Sequence, residues 1–378
     1  EQSVPPENVF YYSFELVQKP EQIRDTISEY LETIPKPGKR HIFLDEITTV
    51  PDWALALKQL IDRGDLTPED AVMATGSSSI DLKKGAERLP GRGIEGHEFY
   101  YLPCSFRSYL TFQGIHLPKA NPMDTTGFME LAQKNKMHLL ELNKAFTRYL
   151  QTGGFLYAIN HGADELTLEK YARWLEGDFL KWGKNPLIVK EILQAVIRKA
   201  SSQFSYHALA KETSVTSHNT INDYLKMLGE ELFLKTINKV TLTPYSVQRK
   251  KEKKAYFLDP LLCTIAERWA QQTLPEACKI EQAIQSHLSR LGPLHFYNDG
   301  KKEIDAVVRT TGKTLAVEVK WSDNIGAQDT YAVRKADAGY VVSRQTLSQI
   351  STVPVVPVSL FLALLDTPDI IRRNVLTL

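Results

Sequence analysis

His41-Ile42-Phe43-Leu44-Asp45-Glu46 is a strand-like run, too short for a helix, that ends in two adjacent acids. Upstream, Val9-Phe10-Tyr11-Tyr12 is a second β-type run, and between the two Ile23, Ile27, Tyr30, Leu31 and Ile34 recur at helical spacing. Downstream, Pro51-Asp52 opens another helix with Trp53, Leu57, Leu60 and Ile61 on one face. Residues 71–75 form a third strand, which runs into Gly76-Ser77-Ser78. Strand, helix, strand, helix, strand in this order predicts a parallel sheet with helices on its faces. Ligands bind such sheets beyond the carboxyl ends of the strands. Asp45, Glu46, Ser77 and Ser78 all fall there.

Two adjacent carboxylates at the end of a buried strand are costly unless a cation meets them. Phosphoryl chemistry supplies one: an acid holds Mg²⁺ while its neighbour orients the attacking water. A pair of solvated acids opening a loop is the plainer reading of the same residues.

The chain has 378 residues, 43% hydrophobic and 24% charged, a balance that excludes a largely disordered protein and suits two to four globular domains. Basic and acidic residues number 46 and 45, so binding to nucleic acid or membrane would need a local patch. Cys104, Cys263 and Cys278 lie far apart, in no metal-like spacing, which excludes a disulfide framework or zinc ribbon and suits a reducing cytoplasm. No run reaches the roughly 18 apolar residues of a membrane span. The longest candidate, residues 353–365, is broken by Pro354, Pro357 and Ser359 and reads as buried core. The chain opens on Glu1, with a strand-like run already at Val9, as a piece of a longer reading frame would.

From about Gly127 to Ile192 the pattern turns helical. Residues 204–239 form a helix–turn–helix pattern: Leu209 on a short first helix, Thr213-Ser214-Val215 as the turn, and Ser217 as the cap of a second helix carrying Ile221, Leu225 and Leu228. A β-hairpin follows, with residues 240–242 and 255–258 flanking a basic tip. Beyond Pro260 come a helix around Glu281, strands at 304–308 and 315–319, and a mixed tail.

Several of these stretches together resemble a prokaryotic AAA+ ATPase family (AAA-14-like). Residues 42–47 followed by Val50-Pro51-Asp52-Trp53 resemble its Walker B segment. Thr75-Gly76-Ser77-Ser78, Leu89-Pro90-Gly91-Arg92 leading to Leu102-Pro103-Cys104-Ser105-Phe106, and residues 149–155 around Gly153-Gly154 follow in the family's order. The resemblance implies an ATPase core over 1–112, a helical lid or linker over 113–192, a winged helix over 193–259 and a restriction-endonuclease-like domain over 260–378. It implies that Asp45 coordinates Mg²⁺, that Glu46 activates water, that Ser77 senses the γ-phosphate and that Arg92 is a candidate cation for developing phosphate charge.

One departure stands out. The family's phosphate loop, G-x-x-x-x-G-K-[ST], is expected ahead of Val9 and is not in this chain, so this piece alone is expected to bind ATP poorly or not at all. Gly312-Lys313-Thr314 imitates the loop's end, but position 307 is Val307 and a strand follows. Gly91, Gly93 and Gly96 satisfy G-x-G-x-x-G but follow no strand.

The far end carries a second constellation. Glu303-Ile304-Asp305 begins one strand and Val317-Glu318-Val319-Lys320 ends the next, across a turn at Gly312. Alternation puts Glu318 and Lys320 on one face, and Asp305 joins them if the strands pair. An acid followed by E-x-K resembles the PD-(D/E)xK nuclease pattern. It implies Asp305 and Glu318 as ligands of Mg²⁺ or Mn²⁺, Lys320 beside the attacking water, and Glu281 as an additional acid. An exposed, salt-bridged hairpin would show the same residues.

The second helix of the helix–turn–helix is mixed in charge, with His218, Asn219, Asn222, Asp223 and Lys226 outward. The hairpin tip is basic: Arg249, Lys250, Lys251, Lys253 and Lys254 against Glu252 alone. Such a wing could grip a DNA backbone without reading sequence, and a solvated loop explains the same residues. The leading expectation is an AAA+-like Mg-ATPase joined to a winged helix and a nuclease-like domain, acting on or near DNA. The other is a nucleotide-regulated protein-interaction scaffold whose nuclease-like domain is inactive.

Overall fold

A computed structural model describes residues 4–33, 39–92 and 96–372, in two compact units divided between Glu98 and Phe99. Ile34 and Gly93 lie outside the described residues.

The first unit follows the expected alternation: β1 (Val9–Ser13), α1 (Pro20–Thr33), β2 (His41–Asp45), α2 (Trp53–Asp62), β3 (Ala71–Ala74) and α3 (Ser79–Glu87). The strands lie in the order β1-β2-β3, all parallel, with Ser13 opposite Asp45 and Leu44 opposite Ala74. This is a mixed α/β arrangement compatible with a P-loop-like core. Ile42 and Leu44 on β2 are fully buried, with Ile23 and Ile27 of α1 and Leu57 and Leu60 of α2 in the same core. Each such side chain contributes roughly 2 kcal/mol by leaving water. Gly85 of α3 admits the Trp53 ring, which any Cβ there would overlap. Ser78 caps α3 by accepting the Asp81 amide.

The second unit opens with β4 (Phe99–Tyr101) and helices α4 (Phe106–Phe112), α5 (Thr125–Lys134), α6 (Leu139–Thr152), α7 (Leu156–His161), α8 (Glu165–Lys181) and α9 (Pro186–Arg198). The helix pair α10 (Tyr206–Ala210) and α11 (His218–Glu230) leads into the hairpin β5 (Leu234–Leu242) and β6 (Tyr245–Phe257). Ser217 is the N-cap residue of α11, as expected, although its hydroxyl makes no capping bond. Then follow α12 (Pro260–Ala270), α13 (Glu276–Leu288), β7 (Leu294–Asn298), β8 (Glu303–Thr310), β9 (Lys313–Lys320), the single turn α14 (Ala327–Thr330), β10 (Ala338–Ser343), β11 (Ser348–Ile350), β12 (Val353–Pro357), α15 (Val358–Leu364) and β13 (Ile370–Arg372). The apolar stretch read as core is β12 and α15, buried throughout.

Two features of the fold cross the expected domain limits. Among the described residues, eight strands form one sheet in the order β11-β12-β10-β9-β8-β7-β5-β6. The hairpin therefore continues the C-terminal sheet across 259/260, because β5 pairs in parallel with β7 from Asn238 opposite His295 to Val240 opposite Tyr297. The compact units divide at 98/99, within the segment expected as the ATPase core. Phe106 of α4 is buried against Phe146 and Tyr149 of α6, and its amide donates to His287 Nε2 on α13 at 2.8 Å.

Candidate functional site

In the first unit the acid pair sits at the carboxyl end of β2, where parallel pairing predicted it. The backbone there is held by its neighbours: the Phe14 amide donates to the Asp45 carbonyl, and Ile47 donates to the carbonyl of Thr75. Asp45 accepts the Thr75 hydroxyl on one carboxylate oxygen, at 2.5 Å, and the Tyr11 hydroxyl on the other, at 2.8 Å. The hydroxyls of Thr75 and then Tyr11 hold the Asp45 carboxyl below the usual carboxylate range, so it stays ionised at neutral pH.

Glu46 leaves the strand with φ 49° and ψ 35°, a left-handed conformation that costs a non-glycine residue about 1 kcal/mol or more. The bend sends its side chain toward the β3 terminus, where the Ser77 amide donates to Glu46 Oε2 at 3.1 Å. Gly76 makes that approach possible, since a Cβ there would overlap the Thr48 side chain. Asp45 and Glu46 are thus held by different donors, one by two hydroxyls and the other by a backbone amide.

Asp45, Glu46 and Ser77 are brought together; Arg92 is not. Arg92 donates to Asp62 Oδ1, at 2.6 and 3.1 Å, at the C-terminal end of α2. Tyr11 and Thr75 belong to the site but were not singled out from sequence. The usable signal was Tyr11 two residues before Ser13, which faces Asp45 in the β1–β2 register.

In the second unit β8 and β9 pair antiparallel across Gly312, with Ala306 opposite Val317, as the E-x-K reading required. Glu318 and Lys320 share a face, 2.7 Å apart. Asp305 Oδ2 accepts the Val319 amide at 3.0 Å. Glu281 comes in from α13, where Gln285 Nε2 bonds both Glu281 Oε1 and the Asp305 carbonyl. Glu281, Asp305 and Glu318 are 8%, 8% and 7% exposed.

The cation among these acids is a lysine. Lys254 of β6 is 1% exposed, and its Nζ lies 2.7 Å from Glu303, 3.2 Å from Asp305 and 3.3 Å from Glu281. Burial works against its charge, but Asp305, Glu281 and Glu303 more than offset that, and its amine is held above the ordinary lysine range. Burial, then the neighbouring Asp305, pushes Glu281 up to about 7 and Glu318 up to about 8. Among the described residues no group of three or more His, Cys, Asp or Glu is placed to hold a metal ion. As arranged, these acids do not fit a divalent ion.

This corrects the reading of the basic run. The turn of the hairpin lies at Thr243-Pro244, and the run lies along β6, where the register breaks: Gln248 faces Lys239 and Lys253 faces Asn238. Residues 249–252 bulge between those pairs. Arg249, Lys250 and Lys251 are exposed there. Lys253 is half-buried, its Nζ bonded to Asn238 Oδ1 and the Arg249 carbonyl, and Lys254 is interior. A buried ammonium pairing three carboxylates cannot also grip phosphate.

Two further motifs turn out to be structural. Gly154 packs on Cys104, whose amide donates to the Gly154 carbonyl, while Asp259 accepts the amides of Gly154 and Leu261. Arg290 joins Asp369 to the Pro103 carbonyl. Cys104, Cys263 and Cys278 are all free thiols. Among the described residues no helix is long and apolar enough to cross a membrane.

Residues 1–110 match the family model of an AAA domain. Residues 143–273 and 278–361 match models of two domains of unknown function, DUF8612 and DUF4143. No curated protein matches the chain. A crystal structure of protein VC1899 from Vibrio cholerae aligns over 94% of this chain and 96% of that chain, at 12% identity and a TM-score of 0.17, a similarity too low to carry an argument. The AAA match implies an ATPase-type, nucleotide-binding module with Mg²⁺ as its usual companion, and that class is what the comparisons assign to the N-terminal segment.

Proposed function

We propose that the first unit supplies two residues of an ATPase site, Asp45 as the Mg²⁺ ligand and Glu46 as the residue that polarises the attacking water, the phosphate loop being the part this chain does not carry. The observation that carries this reading is the separate anchoring of the two carboxylates at one strand end. Asp45 is an ionised oxygen donor of the hard kind Mg²⁺ takes. When bound, the ion neutralises charge on the phosphates. Glu46, oriented by the Ser77 amide, accepts a proton from water, and the Ser77 hydroxyl is the polar group next to the terminal phosphate. Arg92, engaged with Asp62, has no role in this account beyond that ion pair. The test is Mg²⁺-dependent binding of a fluorescent ATP analogue by the intact gene product. Asp45→Ala should weaken it at least tenfold, and an unchanged affinity would remove Asp45 from the site.

For the second unit, α10, α11 and the β5–β6 hairpin are read as a winged helix, and β7–β10 with α13 as a nuclease-like fold. Of the two readings open from sequence, Lys254 among the acids favours the one in which this fold is a binding scaffold rather than a nuclease. A DNA backbone remains the proposed partner, through Arg249, Lys250 and Lys251, in a reducing cytoplasm. Failure of duplexes to bind would leave a protein as the scaffold's partner.

A further inference from the structure

We propose that the acidic centre of the second unit is a self-filled cation site: the Lys254 ammonium stands where a divalent ion would, and while it is seated the centre takes up neither Mg²⁺ nor Mn²⁺. This inference is independent of the ATPase reading.

Three observations carry it. The lysine meets three carboxylates from two elements: its ammonium donates to Glu281 on α13 and to Asp305 on β8, and Glu303 of β8 pairs with it at 2.7 Å. A metal replacing it would draw the same oxygens to about 2.1 Å, and a divalent charge beside the ammonium would be strongly repelled in so buried a place. Moreover, Glu318 Oε2 is buried and has no hydrogen-bond partner. A divalent ion seated beside Asp305 would satisfy an oxygen of that kind; Lys254 leaves it unsatisfied. The plug arrives from β6, far in sequence from the E-x-K hairpin, and so also ties β6 to α13 and β8. Lys320 pairs with Glu318 and leaves the central position to Lys254.

Beneath the lysine lies a latent metal site. Taking away the lysine head group leaves clustered carboxylates, an arrangement that destabilises the fold unless another cation enters. The experiment uses the full chain, stripped of metal, as wild type, Lys254→Met, Asp305→Asn and the double variant, titrated with Mn²⁺ by calorimetry and by electron paramagnetic resonance. Wild type and Asp305→Asn should be indistinguishable in their Mn²⁺ titrations. Lys254→Met should melt lower, bind one Mn²⁺ at least about tenfold more tightly than wild type, and regain melting temperature on Mn²⁺ addition. The double variant should lose that site. Mn²⁺ binding by wild type that Asp305→Asn abolishes would overturn the proposal, as would a folded Lys254→Met that binds none. Should Lys254→Met fail to fold, the comparison of wild type with Asp305→Asn still decides.

Discussion

The Ser77 amide holds the Glu46 carboxylate at 3.1 Å, although the two residues lie on different strand ends, and Glu46 reaches it only through a left-handed backbone. Strain of this kind persists where surrounding structure fixes it, and it accumulates at functional sites. On a continued strand two neighbouring acids would point to opposite faces; the bend instead directs Glu46 to the end of β3, where Ser77 donates to it. Each then has its own donor and its own work.

The exposed bulge of β6 gives the DNA proposal a narrow test. Arg249→Glu, Lys250→Glu and Lys251→Glu together should weaken binding to all duplexes alike. The slope of log affinity against log salt should fall in magnitude by up to about 3, since fewer counterions are released. Fluorescence anisotropy over a salt series reads both. An unchanged slope would leave these residues as solvated surface.

Gly154 and Gly177 provide a matched pair. A Cβ on Gly154 would overlap the carbonyl and amide of Cys104, backbone atoms that cannot move aside, whereas Gly177 in α8 has open space around it. Gly154→Ala should destabilise the second unit by several kcal/mol, in the range of severe core mutations at about 4 kcal/mol. Gly177→Ala should be stabilising by up to about 1 kcal/mol through helix propensity. Urea denaturation compares them, and equal effects would contradict the packing described.

His287 sets a pH dependence. Burial, with Arg290 nearby, pushes its imidazole down to about 3, and Nε2 stays unprotonated to accept the Phe106 amide. A folded pKa below the unfolded value means that the unfolded chain binds more protons between the two. The stability is therefore present above about 6.5 and lost as pH falls toward 3. Between pH 7 and pH 5 the loss should be about 2 kcal/mol. The stability advantage of wild type over His287→Gln should shrink by that amount over the interval. A pH-independent difference would show that the imidazole titrates normally.

The first unit was legible because its signals are local. Alternating apolar runs, Pro51-Asp52 at a helix start and acids at a strand end each report on their own few residues. The same holds for the E-x-K hairpin, whose two strands meet across a short turn at Gly312. What escaped was long-range pairing. Nothing in the spacing of Leu234 to Leu242 says that β5 will join β7 and extend a sheet. Lys254 was read with its basic neighbours because charge runs look alike in sequence, whether a side chain points out or in. Gly153-Gly154 carried the family resemblance, yet their role is close backbone packing against Asp259 and Cys104, which spacing alone does not reveal.

The central claim, that Glu46 polarises water at an Mg-ATP site, is tested most directly by Glu46→Gln in the intact gene product, with nucleotide binding and single-turnover hydrolysis measured side by side. An amide of the same size still fills the position and accepts the Ser77 amide through its oxygen, but it cannot take a proton. The account predicts nucleotide affinity within about threefold of wild type and hydrolysis reduced by about 100-fold or more. Hydrolysis at the wild-type rate with binding intact would contradict it.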